Sequence, residues 1–250
     1  MTVEQRREKI LQLVEEKKKV RIAELKDLFS LSGVTIGNDL AHLEQQGRIT
    51  RKFGFAEIRK AAVLSACDTM VNYEEKKRIA KYAVDLIPDN ASILLYTSSS
   101  VLVLARLIKG KINLNIVTNS FKIAHEVSVN LNARVIFLGG FYNCENQSTF
   151  GEPAAAQLDQ FNCETLFFSC NGVSDSGGLT IDEPYELALN VAMMESAMKK
   201  ILLADGSKIG KTRFVPFAPV TAVDLIITDA GAPLAEVEKI RAKGVEVIII

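Results

Sequence analysis

Apolar residues recur at helical spacing in three short stretches at the start of the chain. Ile10, Leu13 and Val14 mark a first helix over about residues 4–16, closed by the Lys17-Lys18-Lys19 run, whose cations suit a helix C-terminus. Ile22, Leu25, Leu28 and Phe29 put one stripe on residues 22–29, a helix too short to stand without neighbours. Ser32 predicts the N-cap of a third helix, in which Ile36, Leu40 and Leu43 face inward and which Gly47 ends. Residues 49–58 alternate around Gly54 and predict a two-stranded wing with Arg51 and Lys52 exposed. Residues 59–72 carry no strong period and predict a linker.

From Tyr73 the pattern changes. Short apolar runs at 93–96, 115–118, 135–138, 166–170, 201–204, 225–228 and 245–250 alternate with helical stretches such as 101–109, 120–131, 186–199 and 233–243. Near-continuous apolar strands between helices predict a doubly wound, mainly parallel sheet covered on both faces. The expected class is α/β: a small helical head over 1–58, the linker 59–72 and an α/β body over 73–250. Polar or glycine residues follow the runs directly: Thr97 to Ser100, Asn119-Ser120, Gly139-Gly140, Asn171-Gly172, Asp205 to Lys208, and Asp229. In open α/β sheets the carboxyl ends of the strands line the ligand crevice, so these groups are expected to converge there.

With 250 residues, 48% hydrophobic and 24% charged, the chain is long and apolar enough for one large or two ordinary domains and is not disordered. The balance of 30 basic and 30 acidic residues hides an asymmetry. Residues 1–60 hold 13 Lys+Arg against 9 Asp+Glu and residues 61–250 hold 17 against 21, a basic head on a mildly acidic body. Cys67, Cys144, Cys163 and Cys170 form no C-x-x-C pair and have only His42 and His125 beside them, so neither metal nor cofactor is expected, and free thiols in a reducing cytoplasm are. The start has no apolar signal region and the longest uncharged apolar runs, such as 101–105, are too short for a bilayer; a soluble cytoplasmic protein without a membrane partner follows as the expectation. Met193, Met194 and Met198 on the 186–199 helix read as core or subunit contact, and His125, Ser169 and Cys170 as structural.

Three helices and a basic wing have the form of a winged helix-turn-helix, whose third helix enters a major groove while the wing meets phosphates. Pattern alone leaves open an amphipathic cap on the body. Arg6-Arg7, Thr35-Ile36-Gly37-Asn38-Asp39-Leu40, Leu43-Glu44, Gly47 and Arg51 resemble the N-terminal signature of the DeoR family of bacterial sugar-metabolism regulators. The resemblance implies DNA contacts from Arg6, Arg7, Ser32, Thr35, Asn38, His42, Arg51 and Lys52. It departs at the recognition helix, where the family usually has Arg at the position of Gly37 and Arg or Asn at that of Asn38. Gly37 offers phosphate no side chain and costs the helix about 1 kcal/mol relative to Ala. Asn38 keeps the paired donor and acceptor that read adenine. Phe53-Gly54-Phe55 replaces the common His-Gly-Gly of the wing.

In the body, Val117-Thr118-Asn119-Ser120, Leu138-Gly139-Gly140, Gly151, Asn171-Gly172, Gly178-Leu179-Thr180, Glu186, Leu203 to Lys208 and Ile227-Thr228-Asp229 resemble the family's sugar-phosphate-sensing domain, related in fold to ribose-5-phosphate isomerases. The resemblance implies an effector site of Ser98, Ser99, Ser100, Thr118, Asn119, Ser120, Gly139, Gly140, Asn171, Gly172, Glu186, Asp205 and Lys208. Hydroxyls, N–H groups at helix starts and one ammonium suit a phosphate ester. The family's first ligand loop usually reads Asp-x-Gly-Thr-Thr; here it is Tyr96-Thr97-Ser98-Ser99-Ser100, with a phenol where a carboxylate would accept sugar hydroxyls. This implies an unusual effector or impaired sensing. The expected function is a repressor of a carbohydrate-utilisation operon, bound to a double-stranded operator as a homodimer or homotetramer and controlled by a phosphorylated sugar. Two alternatives accompany it. One is an isomerase-like enzyme in which Asp205 abstracts a proton and Lys208 stabilises the enediolate. The other is a ligand-sensing interaction protein that no longer reads DNA, motivated by Gly37.

Overall fold

The structure is a computed structural model that describes residues 2–17, 19–45, 48–52, 54–58, 70–131 and 133–250, and their side chains except at 15, 16, 45, 52, 58 and 130. Gly47, Phe53, Cys67 and residues 59–69 of the expected linker lie outside the described residues. Contacts divide the chain into two compact units, Met1–Ala66 and Cys67–Ile250.

In the first unit, α1 (Val3–Lys17) opens on a reciprocal cap: the Gln5 N–H donates to Thr2 Oγ1 at 3.2 Å and the Thr2 N–H to Gln5 Oε1 at 3.0 Å. α2 (Ile22–Phe29) and α3 (Gly33–Gln45) follow, and Ser32 Oγ accepts from the Thr35 N–H at 3.2 Å, the cap expected of it. Ile10, Val14, Leu25, Ile36, Leu40 and Leu43 pack as one core. The wing is a three-stranded sheet. β2 (Ile49–Lys52) and β3 (Phe55–Ile58) form the expected hairpin, while β1 (Lys19–Arg21) pairs antiparallel with β3. β1 has a single apolar residue, Val20, opposite Ala56, so no period betrays it; the wing makes it a strand. Lys19, taken for part of a helix end, therefore opens β1.

In the second unit, α4 (Tyr73–Asp85), β4 (Ser92–Leu95), α5 (Ser99–Leu107), β5 (Asn115–Thr118), α6 (Phe121–Asn130) and β6 (Arg134–Phe137) alternate. Next come β7 (Phe141–Asn143), β8 (Ser148–Phe150), α7 (Glu152–Ala155), β9 (Cys163–Phe168), β10 (Gly172–Ser174) and β11 (Gly178–Ile181). α8 (Leu187–Glu195), β12 (Ala197–Leu203), β13 (Val215–Ala218), β14 (Leu225–Thr228), α9 (Leu234–Ala242) and β15 (Glu246–Ile249) follow. The seven strands expected from the apolar runs form one parallel sheet, β15-β14-β12-β9-β4-β5-β6. Leu94, Leu166, Leu202 and Ile226 point to one face, against Leu189, Met193, Val237 and Ile240 of α8 and α9. Ile93, Leu95, Phe167, Ile201 and Ile227 point to the other, against Ile79, Leu104 and Ile123 of α4 to α6. Burial on both faces is why these strands show no polar alternation.

Two smaller sheets were not legible: the hairpin β7-β8 and the antiparallel β10-β11-β13. Their strands are three or four residues long and contain Gly172, Gly178 and Pro216, which weaken a strand pattern. The helix expected over 186–199 stops at Glu195, because from Ala197 the backbone pairs with β9. Met193 and Met194 are buried, whereas Met198 lies on β12 with 79% of its surface exposed, so the three methionines share no helix face. Among the described residues no helix is long and apolar enough to cross a membrane. Cys163 and Cys170 are buried free thiols and Cys144 an exposed one.

Candidate functional site

The carboxyl ends of β4, β5, β9 and β12 point the same way, because all four strands are parallel. The loops that leave them enclose a cavity of about 310 Å³. Ser98 and Ser120 stand at helix starts on its wall: Ser98 Oγ accepts from the Val101 N–H at 3.1 Å and Ser120 Oγ from the Ile123 N–H at 3.4 Å, capping α5 and α6. Their hydroxyl protons remain available to an anion. Lys208 Nζ donates to Ser169 Oγ at 3.0 Å within the same cavity. On the wall also sits Glu186, whose Oε2 accepts from the Tyr96 hydroxyl at 3.2 Å, while Asn190 Nδ2 donates to the Tyr96 oxygen at 2.9 Å. Burial raises the Tyr96 phenol well above its usual range, and the Glu186 charge adds to it. Burial likewise pushes the Glu186 carboxyl up to about 7; the Tyr96 hydrogen bond opposes this, and the negative charges of Glu183 and Asp182 reinforce it.

Of the residues expected to hold an effector, Ser98, Ser99, Ser120, Asn171, Glu186 and Lys208 line the cavity. The other seven do not line it. Ser100 is buried beneath it, and its Oγ has no hydrogen-bond partner among the described residues. Thr118 Oγ1 donates to the Leu95 carbonyl at 2.7 Å. Asn119 accepts from the Thr97 N–H at 2.9 Å and donates to the Thr149 carbonyl at 2.9 Å, fixing the loop after β4. The Gly139 N–H donates to Gln157 Oε1 at 3.1 Å. Gly140 has φ +148°, and a Cβ there would lie 2.6 Å from the Phe150 carbonyl oxygen; at Gly172 a Cβ would come as close to the Lys211 carbonyl. Asp205 is buried and accepts from Asn72 Nδ2 at 2.9 Å and from the Ser207 N–H at 3.2 Å. Burial opposes its charge, but hydrogen bonds from the Ser207 hydroxyl and the Asn72 amide, with the charges of Lys208 and Lys76, hold its carboxyl below the ordinary value. It is an ionised cap outside the cavity wall, poorly placed for the proton abstraction that the isomerase alternative asks of it.

Lys122, Asn146, Ser169 and Cys170 line the cavity without having been expected there. Lys122 lies just inside α6, two residues past the Ser120 cap, and that spacing could have revealed it. Asn146 sits in the turn of the unread β7-β8 hairpin, so no sequence signal placed it.

In the head, Arg6 Nε donates to Asp39 Oδ2 at 2.6 Å and Arg7 Nε to Asp39 Oδ1 at 2.9 Å, bracing α1 on α3. Asp39 is 1% exposed. Burial opposes its charge, but the two arginines outweigh that and hold its carboxyl below the usual range. Arg51 of β2 joins wing to α3: its Nε donates to Glu44 Oε2 at 2.8 Å and its Nη1 to the Gly37 carbonyl at 3.3 Å. Asn38 and Ser32 are exposed, with Thr35 and His42 half-buried beside them. The Lys52 side chain lies outside the described residues.

Residues 6–62 match the DeoR-like helix-turn-helix domain, and residues 71–230 match the DeoR C terminal sensor domain. The lactose phosphotransferase system repressor of Staphylococcus epidermidis is 34% identical over 97% of this chain and 98% of its own. The glycerol-3-phosphate regulon repressor of Escherichia coli is 28% identical over 92% of each chain. Among solved structures, ribose 5-phosphate isomerase A of Methanocaldococcus jannaschii aligns with 55% of each chain at 18% identity and a TM-score of 0.39. Both full-length relatives are named for repression, and neither for catalysis. The chain belongs to the DeoR family of DNA-binding transcriptional regulators, carrying that family's helix-turn-helix head and its C-terminal sensor body.

Proposed function

We propose that this regulator represses a carbohydrate-utilisation operon in the cytoplasm and that a phosphorylated sugar in the body's cavity controls it. The observation that carries the effector reading is Lys208 Nζ, held by Ser169 at 3.0 Å in a cavity that also receives Ser98, Ser99 and the start of α5. An ammonium, hydroxyl donors and helix N–H groups together suit a dianionic phosphate. In the head, Ser32, Thr35, Asn38, His42, Arg51 and Lys52 are the DNA contacts of this reading. Arg6 and Arg7 are counted with them, their Nε atoms bracing α1 against Asp39 of α3. A two-fold operator calls for a homodimer or homotetramer. Effector binding then shifts the balance between arrangements of the heads by its difference in affinity for them.

The experiment is fluorescence anisotropy on the DNA upstream of its own gene, titrated with salt and then with a panel of sugar phosphates. Retention that weakens linearly in log salt and is relieved by one phosphate, with relief absent in Lys208→Ala, is the expected result. Absence of retention at low salt, even with Gly37→Arg, would instead identify a protein that has given up reading DNA.

A further inference from the structure

The cavity has two chemically opposed regions. The charge of Lys208 is felt at Asp205, Lys76 and Cys170, and the cavity lining also holds Lys122 and the hydroxyls of Ser98 and Ser99. Around Glu186 the lining carries no cation: the charges acting on its carboxyl are those of Glu183 and Asp182, both negative, and Tyr96 and Tyr185 are its aromatic neighbours. Tyr96 is fully engaged, accepting from Asn190 and donating to Glu186 Oε2. Glu186 Oε1 takes no hydrogen bond from the described residues, and Glu186 lines the cavity.

A half-buried carboxyl among like charges is costly to ionise unless a cation meets it. A sugar hydroxyl can hydrogen-bond the group but cannot offset the charge, whereas an ammonium does both, through a charge-assisted bond about twice as strong as a neutral one.

We propose that the effector is a phosphorylated amino sugar, its phosphate met by Lys208 and the α5 start and its ammonium by Glu186. This rests on the phosphate-effector reading above and adds a second recognition point to it. Tyr96 is then a positioning residue: held by Asn190, it fixes Oε2 and leaves Oε1 to the ligand. The carboxyl near 7 gives the contact a signature. An ammonium that draws Glu186 into its charged form releases a fraction of a proton near pH 6.5 beyond whatever the shared phosphate releases, and a neutral sugar lacks that extra release.

The test is calorimetric titration of the full-length protein with glucosamine 6-phosphate against glucose 6-phosphate and with galactosamine 6-phosphate against galactose 6-phosphate, inorganic phosphate being the common control. At pH 7.5 the amino member of at least one pair is expected to bind ten-fold or more tighter. Glu186→Gln is expected to erase that difference, and Lys208→Ala to weaken all the phosphates together. Titration at pH 6.5 in buffers of different ionisation enthalpy is expected to show more proton release for the amine than for its neutral partner, the shared phosphate contributing equally to both. Equal affinity within both pairs overturns the proposal while leaving the phosphate reading intact, as does an amine preference that survives Glu186→Gln. If none of the sugar phosphates and no inorganic phosphate binds, both readings fall.

Discussion

Replacing Gly37 with alanine is expected to stabilise the head rather than disturb it. The residue sits inside α3 between the fully buried Ile36 and Leu40, so its backbone is held helical by anchors on either side. A Cβ built there meets nothing within 4 Å. The substitution therefore adds no clash and removes the entropic cost of glycine in a helix, about 1 kcal/mol at most. In a unit of this size that corresponds to a rise of roughly 4–8 °C in the midpoint of the head transition. Arg51 reaches the Gly37 carbonyl and not its α-carbon side, so that bond survives. Scanning calorimetry of the full chain, with hydrogen exchange of the α3 amides to assign the transition, reads the effect. Gly37→Arg carries the same backbone gain and adds a cation on the exposed side, so the log–log salt slope of operator binding is expected to steepen by about 0.9. A fall in the midpoint for Gly37→Ala would show that the glycine is required by the backbone. An unchanged slope for Gly37→Arg, with the stability gain present, would show that this side of α3 does not meet phosphate.

Three further outcomes follow from the burial and charge described above. Leu40→Ala, at a fully buried site in the head core, is expected to cost roughly 2–5 kcal/mol and to abolish operator binding while the calorimetric transition of the body stays in place. Because the folded Asp39 carboxyl lies below its unfolded value of about 3.9, its contribution is present above that pH and is lost as pH falls through the folded value. Asp39→Asn is accordingly less stable at pH 7, and its midpoint declines less than that of the natural protein as the pH drops below about 4, as thermal melts across that range would register. Glu186 has the opposite sign: with a folded value of about 7 against about 4.3 unfolded, it weakens the body progressively as pH rises from about 4.3 to 7. Glu186→Gln keeps an acceptor for Tyr96 and is expected to raise body stability at pH 8 by up to about 3 kcal/mol, reduced by the solvent that reaches the group, and much less at pH 5. Equal gains at both pH values in urea denaturation would contradict that assignment.

The parts of this fold that the sequence reveals are those whose burial repeats with a period. Ile93, Leu95, Phe167 and Ile201 read as strand because both faces of the sheet are covered, and Ile36, Leu40 and Leu43 read as helix because one stripe is. Val20 in β1 and Val173 in β10 are as completely buried, yet each stands alone between polar or glycine neighbours, and only the partner strand makes it part of a sheet. The candidate site divides along the same line. The loops after the strands were legible as places where polar groups gather, since parallel strands must end on one side. Which residues turn toward the cavity depends on contacts far away in the chain. Asn119 stands in the expected loop, but Thr149 and Thr97 claim its amide and turn it into the wall. Arg6 and Arg7 are expected at DNA from the family signature; what the sequence does not show is that their Nε atoms are held by Asp39, 33 and 32 residues away.

The replacement at position 96 was visible in the sequence as the loss of a carboxylate from the first ligand loop. Its consequence was not, because the group that answers it, Glu186, is 90 residues downstream and Asn190 94. Together they restore an acceptor to the cavity wall, but one whose readiness to ionise differs from that of an ordinary loop aspartate. Burial and two neighbouring carboxylates keep Glu186 neutral over part of the physiological range, so its ionised form depends on what the ligand brings. A loop aspartate in water accepts hydroxyls from any sugar; a carboxyl that must be charged by its guest discriminates for a positive one. On the proposed amino-sugar reading, position 96 changes the kind of ligand selected, because the acceptor that replaces the loop carboxylate is one a positive guest must charge.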